Sequence, residues 1–207
     1  MSAYRNWTIF KDNLGSQNPI IIQVLGICST LAVTNVVKNT LVMCLGLIFT
    51  TAFSNLTISL LRNIIPARVR MMAEVLIIAC MVIIVDIYLK AYFPLISRQL
   101  GPYVGLIITN CIVMGHAEAV ALTEPPVTSF IDGLSAGIGY SYVLMIIAVI
   151  RELLGTGCVW GINLLGPWWE NWGIMVMAPG GFFVLALFVW VVRGRMAAKQ
   201  EATAKGA

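Results

Sequence analysis

The feature that most constrains this sequence is a succession of long apolar runs without Asp, Glu, Lys or Arg. A helix that crosses a membrane needs about 20 such residues, because the hydrocarbon layer is roughly 30 Å thick. Six runs reach or approach that length: residues 20–37, 39–61, 75–85, 99–117, 133–150 and 171–192. The third run is short, but we expect its helix to extend over about 71–90, with its terminal charges reaching outward. The sequence therefore predicts six transmembrane helices.

Composition excludes most other classes of protein. Only 11% of the 207 residues are charged, whereas a soluble domain carries roughly 25%. Six helices would use about 120 residues, which leaves no room for a separate soluble domain. The net charge of +4 is not gathered into a basic stripe, so we expect no nucleic-acid partner. We predict a single all-α polytopic membrane domain over residues 1–207.

The positions of Lys and Arg predict how the chain is oriented, because cytoplasmic loops carry an excess of both. With a cytoplasmic amino terminus, nine basic residues lie inside and four lie outside, namely Lys38, Lys90, Arg98 and Arg151. We therefore expect both termini in the cytoplasm, with residues 194–207 as a tail. The glycine-rich segment 153–169 is expected to be an interfacial loop, with three aromatic anchors: Trp160, Trp168 and Trp169.

Polar residues interrupt the first and fourth runs. Gly26, Cys28 and Ser29 lie inside the first run, and Thr109-Asn110-Cys111 lies inside the fourth. Irregular backbone at membrane depth is tolerated only where protein or a cavity covers it, so we predict that helices 1 and 4 are broken near the midplane. Each broken helix opens a group of three. We therefore expect two inverted three-helix repeats, about 15–92 and about 99–193, with a site where the broken helices meet.

Cys28 and Cys111 are the candidate metal ligands, because an inverted repeat would place them face to face across its pseudo-twofold axis. Thiolates suit soft metals, and iron–sulfur clusters usually take four of them, so two cysteines would form half a site. On spacing alone, the commoner interpretation of a membrane cysteine is a small apolar packing residue. Cys44 and Cys80 lie in ordinary apolar runs and are expected to pack, and Cys158 is expected to be a free thiol.

Asp86 is the acid most deeply embedded in an apolar stretch, which makes it the candidate for a cation path. The alternative is an ion pair with Lys90 at the end of the helix. His116 is expected to be an interfacial hydrogen-bonding residue. No P-loop, dinucleotide fingerprint or Ser-His-acid set is found in the sequence, so we expect no catalytic residue. Three further acids are expected to be anchors or helix-end pairs: Glu74, Glu118 and Glu152.

Two segments carry a resemblance to a known family. Residues 25–34, LGICSTLAVT, and residues 105–115, GLIITNCIVMG, resemble the cysteine signatures of the D subunits of sodium-translocating NADH:quinone oxidoreductases. Residues 53–62, the turn at 151–155 and the Ala178-Pro179 pair are similar too. The E subunits of RNF ferredoxin:NAD oxidoreductases share these signatures and are the close alternative. Where the family has an arginine after Met-Gly, this chain has His116.

The resemblance implies a six-subunit complex of the bacterial inner membrane. In that complex, the D and E subunits are similar six-span chains of opposite orientation that enclose an iron–sulfur centre, usually described as [2Fe–2S], with two cysteine ligands each. By motif, the ligands of this chain are Cys28 and Cys111. Electrons from NADH pass through flavins and iron–sulfur groups to quinone, with the flavins and quinone on other subunits, and Na⁺ is pumped outward.

Three hypotheses for the function follow. An electron-transfer subunit, with no complete active site of its own, predicts iron that depends on both Cys28 and Cys111. An inverted-repeat secondary transporter without redox chemistry predicts that both cysteines can be changed to serine, whereas Asp86→Asn abolishes transport. A purely structural subunit predicts that neither change matters beyond assembly.

Overall fold

The computed structural model describes residues 25–92, 94–159, 162–163 and 173–205, and these residues are almost entirely helical. The chain contains a 3₁₀ turn at Ala67–Val69 and a π-helix at Ala117–Ala121. Two short strands, β1 (Cys158–Val159) and β2 (Ile162–Asn163), pair antiparallel. The α-helices are α1 (Ile27–Val33), α2 (Val37–Leu61), α3 (Arg70–Tyr92), α4 (Pro94–Ile108), α5 (Cys111–His116), α6 (Pro126–Thr156), α7 (Gly173–Val176) and α8 (Ala178–Lys205).

Within the described residues, five helical stretches are long and apolar enough to cross a membrane: Val37–Leu61, Arg70–Tyr92, Tyr103–Ala121, Pro126–Thr156 and Pro179–Met196. The prediction of an all-helical, multi-pass membrane protein is therefore confirmed. The first predicted helix, at 20–37, begins outside the described residues, and its described part contains only the seven-residue helix α1. Six spans and an inverted repeat accordingly stay predictions.

The predicted interruption of the fourth apolar run is present in the structure, whereas the break in the first helix stays a prediction because the residues before Leu25 lie outside the described part of the chain. Leu25 and Gly26 are not helical, and Gly26 has a φ of +79°, a left-handed conformation that favours glycine. In the fourth run, helix α4 ends at Ile108 and helix α5 begins at Cys111. Each candidate ligand therefore lies in the first turn of a short helix that starts inside an apolar run.

Helix α6 is longer than the predicted run at 133–150, and it carries charged residues into the interior. Asp132, Arg151 and Glu152 all lie within it, and all three are buried. The sequence argument ended the run at these charges, because an isolated charge in lipid is costly. In the folded chain, hydrogen bonds and packing compensate for their burial, so the helix continues.

The predicted interfacial loop at 153–169 is wrong at its beginning. Residues 153–156 complete helix α6, which ends at Gly157 with a φ of +69°. Strand β1 follows directly, so this part of the segment is ordered by a small hairpin. Its three aromatic anchors, Trp160, Trp168 and Trp169, lie outside the described residues.

The long helices α2 and α6 pack along each other and form the centre of the chain. Their close approach depends on small residues, as is common between membrane helices. A Cβ at Gly133 would lie 2.8 Å from the Thr51 carbonyl oxygen, and a Cβ at Gly137 would lie 3.1 Å from the Ile48 Cα. The outer helix α3 is much more exposed than α2 and α6.

Two arginines tie the ends of the long helices to the other half of the chain. Arg62, just after helix α2, donates to the carbonyls of Leu122 at 3.3 Å and Glu124 at 3.0 Å, beyond the π-helix. Arg151, near the end of helix α6, donates to the Leu31 carbonyl at 3.2 Å and the Thr34 hydroxyl at 2.6 Å. The last carbonyls of a helix lack partners within it, so Arg151 caps helix α1, whereas Arg62 holds the turn between the π-helix and helix α6.

Candidate metal centre at the paired cysteines

The structure brings Cys28 and Cys111 together, although they are far apart in the sequence. The thiols of Cys28 and Cys111 lie close enough to interact with each other. Both cysteines are exposed at the surface of the chain. The thiolate is the form of cysteine that binds a metal. Two converging, accessible thiols are what half of a thiolate metal site requires.

A buried cluster of hydroxyl groups holds the Cys28 segment from behind. Three side-chain hydroxyls lie within hydrogen-bonding distance of the Gly26 carbonyl: Thr30 at 2.8 Å, Tyr140 at 3.0 Å and Ser29 at 3.1 Å. The Ser29 and Tyr140 hydroxyls also lie within hydrogen-bonding distance of each other, so one of them can donate to the other while its partner donates to the carbonyl. Tyr140 lies in the middle of helix α6 and is fully buried. The central helix thus fixes the turn from which helix α1 starts.

Asn110 connects this cluster to the second cysteine segment. Its side-chain amide donates to the Ser29 hydroxyl at 3.2 Å, and its side-chain oxygen accepts from the Ile112 N–H at 3.2 Å. The second bond caps the start of helix α5, as asparagine commonly does. Ser29 is adjacent to Cys28, and Asn110 is adjacent to Cys111. One buried side-chain contact therefore links the two cysteine segments.

Gly26 is required at the start of helix α1 for two independent reasons. Its positive φ is a conformation that L side chains rarely adopt. In addition, a Cβ at this position would lie 2.8 Å from both Ile112 Cδ1 and Tyr140 Cε2. Ile112 follows Cys111 directly, so the absence of a side chain at Gly26 allows the two cysteine segments to approach.

The paired cysteines supply two ligands and no more from the part of the chain that the structure describes. No group of three or more His, Cys, Asp or Glu residues is placed there to hold a metal ion. Cys44 is buried in the core, with its sulfur 3.9 Å from the Ser141 carbonyl, and Cys80 lies on the outer helix α3. Two thiols fit half of a four-thiolate iron–sulfur site.

Asp86 is separate from the cysteines. It lies on helix α3 and forms an ion pair with Lys90, with a Nζ to Oδ2 distance of 2.5 Å. This ion pair was the alternative to a cation path at Asp86, and it is confirmed. The role of Asp86 in a cation path stays a prediction.

The structure agrees with the predictions for some of the other candidate residues and not for the rest. Glu118 pairs with Arg70 at 2.5 Å, and Glu152 accepts the Val37 N–H at 2.5 Å, so both are helix-end pairs as predicted. His116 does hydrogen-bond, with Nδ1 at 2.7 Å from Asp132 Oδ2, but it is buried rather than interfacial, because helix α6 covers it. The prediction for Glu74 is wrong, because its side chain is fully buried.

Tyr140 organises the cluster behind the cysteines, but no feature of the sequence indicates this role. Tyr140 lies in an ordinary apolar run, and nothing in its spacing indicates that it contacts a segment more than 100 positions away. Ser29 and Asn110 were noticed as polar residues inside apolar runs, and their hydrogen bonds explain why polar groups are tolerated at that depth.

Comparisons with known proteins agree with the resemblance described above. The family model for the Rnf-Nqr subunit, a membrane protein, matches residues 6–189. A relative from Tolumonas auensis is 48% identical over 196 residues, covering 92% of this chain and 91% of its own length. Relatives from Photobacterium profundum and Aeromonas salmonicida are 49% and 50% identical, covering 93% and 89% of this chain and 92% and 90% of their own lengths. All three are named as the D subunit of a Na(+)-translocating NADH-quinone reductase. This chain therefore belongs to the Rnf-Nqr family of membrane protein subunits.

Proposed function

We propose that this chain is the D subunit of a Na⁺-translocating NADH–quinone reductase, and that it carries electrons across the membrane within that complex. The relatives named above match it over about nine-tenths of both lengths, which supports the subunit assignment. The observation that supports the redox role is the contact between Cys28 and Cys111 at an exposed surface. The equivalent subunit of an RNF complex is the alternative, and the names of the relatives favour the reductase.

Cys28 and Cys111 are proposed to be two of the four ligands of an intramembrane iron–sulfur centre of the [2Fe–2S] type. The described residues offer only this pair, so the other two ligands would come from a second chain. The homologous E subunit is the proposed partner, because a partner with the same fold and opposite orientation would present a matching pair. Such a partner would also cover thiols that otherwise face lipid.

Such a centre, when bound, accepts and releases single electrons near the middle of the bilayer. A hydrocarbon layer of roughly 30 Å is too wide for one efficient electron hop, so an intermediate carrier there is physically reasonable. The two thiolates would hold the centre at the exposed surface of the chain. The Ser29–Asn110 contact would keep the two ligands at a fixed separation.

The proposed architecture is a pair of inverted repeats, and two observations support it. The order of a short helix and two long helices occurs twice, as α1–α2–α3 and as α5–α6–α8, although strands β1 and β2 and the short helix α7 lie between α6 and α8. Arg62 follows helix α2 and Arg151 lies near the end of helix α6, and each donates to a backbone carbonyl in the other half of the chain. We further propose that the protein lies in a bacterial inner membrane, in a six-subunit complex, with both termini in the cytoplasm.

The transporter hypothesis has less support. Asp86 is its candidate residue, and the contact that the structure gives Asp86 is an ion pair with Lys90 on the same helix. An ion pair of this kind stabilises the end of a helix and does not require a bound cation. We therefore assign sodium transport to the complex as a whole. The names of the relatives attribute sodium translocation to the reductase of which they are subunits.

The test of the redox role uses the purified complex with Cys28→Ser or Cys111→Ser, against Cys80→Ser as the matched control. Cys80 is also an exposed cysteine in an apolar helix, but it lies on α3, away from the pair. Iron content and the low-temperature EPR spectrum are measured after all subunits have been shown to be present. We expect both variants of the pair to lose the iron of one cluster and its signal, whereas Cys80→Ser keeps both. Unchanged iron in an intact Cys28→Ser complex would contradict the assignment.

A further inference from the structure

Glu74 is a buried acid without a visible compensating group. It lies in the second turn of helix α3 and its exposed fraction is 0%. Neither of its carboxylate oxygens receives a hydrogen bond from the residues that the structure describes. An ionised carboxylate in such a position costs several kcal/mol unless it is paired, and proteins commonly avoid that cost by keeping the group neutral.

Arg70, one turn before Glu74 on helix α3, pairs with a second carboxyl group, that of Glu118, and the carboxyl groups of Glu74 and Glu118 lie close enough to interact. Glu118 lies on the π-helix, and its Oε1 is held by Arg70 Nη2 at 2.5 Å. Its other oxygen, Oε2, has no donor within the described part of the chain. Two adjacent carboxylates, one of which is fully buried, cannot both be ionised without strong repulsion.

The charges around Glu74 can be counted. Arg70 and Glu118 are the charged groups that act on it electrostatically within the described ranges. Of the basic residues in the loop before helix α3, Arg62 is engaged with the carbonyls of Leu122 and Glu124, and Arg68 is exposed. Arg70 neutralises one carboxylate, so the second leaves a net negative charge unless it binds a proton.

We propose that Glu74 and Glu118 form a proton-binding site in which Glu74 is a neutral carboxylic acid that donates its O–H to Glu118. Glu118 remains ionised and accepts from both Glu74 and Arg70. The three groups together are then uncharged, and the unpartnered Glu118 oxygen has a donor. Loss of the proton leaves one net negative charge and two carboxylates in contact.

This site can exchange its proton with water on one side of the membrane. The side chains of Arg70 and Glu118 are 39% and 40% exposed, so the pair reaches the surface of the chain while Glu74 does not. With the proposed orientation, this surface is cytoplasmic. The site lies apart from the cysteines and holds no metal ligand, so its test is independent of the iron centre.

The test is the infrared absorption of protonated carboxyl groups in the purified complex, in H₂O and in D₂O, for Glu74→Gln, Glu74→Ala and Asp86→Asn. Asp86→Asn is the matched control, because it removes an acid from the same helix that is ion-paired and therefore already ionised. We expect Glu74→Gln to remove the carbonyl band of one carboxylic acid per complex, whereas Asp86→Asn leaves that band intact. Glutamine is nearly isosteric with a neutral glutamic acid and still donates to Glu118, so the Glu74→Gln complex should assemble.

A second readout is the thermal midpoint of the complex as a function of pH. The wild-type complex should lose stability relative to Glu74→Gln as the pH rises, because only the wild-type protein can acquire the second charge. Glu74→Ala should be less stable than Glu74→Gln at neutral pH, because it leaves Glu118 without its donor. An unchanged carbonyl band in Glu74→Gln overturns the proposal. So does a Glu74→Gln complex that fails to assemble where Asp86→Asn assembles, because a neutral isostere should replace a neutral acid.

Discussion

Replacing Gly26 by alanine should separate the two cysteine segments. The added Cβ would lie 2.8 Å from Ile112 Cδ1 and from Tyr140 Cε2, a distance that real Cβ contacts essentially never show. Tyr140 is fully buried and hydrogen-bonded, so its ring has little freedom to move. The strain should therefore displace either the start of helix α1, which carries Cys28, or Ile112, which is adjacent to Cys111.

The expected loss of stability is the sum of two contributions. Placing a residue with a Cβ in the left-handed conformation costs about 1–2 kcal/mol. Forcing an extra carbon into a filled interior costs typically about 1–3 kcal/mol. The total of about 2–5 kcal/mol is a large part of the stability of about 5–15 kcal/mol that is typical of a folded protein.

Gly105→Ala provides the matched control, because a Cβ at Gly105 meets nothing within 4 Å of the described chain. Alanine in the interior of a helix is favoured over glycine by roughly 0.5–1 kcal/mol, and Gly105 lies within helix α4. Thermal unfolding and iron content of the assembled complex would be measured for both variants. We expect a lowered midpoint and reduced iron for Gly26→Ala, and values near or above wild type for Gly105→Ala.

Ile112→Val offers an internal check on the reasoning, because it removes the Cδ1 atom that clashes. The double variant Gly26→Ala/Ile112→Val should recover part of the lost stability, but not all of it, since the contact with Tyr140 remains. If Gly26→Ala matches Gly105→Ala in both midpoint and iron content, then the close approach at Gly26 does not control the cysteine pair.

Two further substitutions test the contacts around the site. Tyr140→Phe should cost only about 0.5–1.5 kcal/mol, because the Gly26 carbonyl keeps Thr30 and Ser29 as donors; a thermal midpoint that collapses would contradict this. Arg151→Lys should cost more, about 2–4 kcal/mol, because a lysine cannot reproduce a guanidinium that donates to several acceptors and each charged bond is worth about 1.5–3 kcal/mol. The measurement is the midpoint of the assembled complex against Arg62→Lys, and equal effects would contradict the greater burial of Arg151.

The helical class, five of the spans and the position of the break in the fourth run could be predicted from the sequence, because each depends on local composition. An apolar run without charges has few alternatives in a membrane protein, and a polar insertion such as Thr109-Asn110 in such a run indicates irregular backbone. The pairing of Asp86 with Lys90 was predictable for the same reason, since it depends only on helical spacing. The assignment of Cys28 and Cys111 needed the family resemblance, since spacing alone left packing as the commoner explanation.

The features that sequence reasoning missed are those that depend on which helices pack together. Asp132 and Arg151 are buried because each has a hydrogen-bond partner in another helix. Asp132 pairs with His116, and Arg151 donates to the end of helix α1. Glu74 was expected at an interface because it lies near the end of its run. Its burial results from the π-helix packed against it, and π-helices have no simple sequence signature.

The arginine that caps helix α1 has a consequence for the biogenesis of the protein. Arg151 and its acceptor at Leu31 are 120 positions apart, so a ribosome moving at about 5–20 residues per second adds Arg151 roughly 6–24 s after Leu31. During that interval, the short helix has neither its cap nor the Tyr140 hydroxyl that anchors its start. The first half of the chain therefore enters the bilayer as an unfinished structure and depends on the insertion machinery until the second half arrives. A chain that stalls before Arg151 should be recognised as incomplete and degraded.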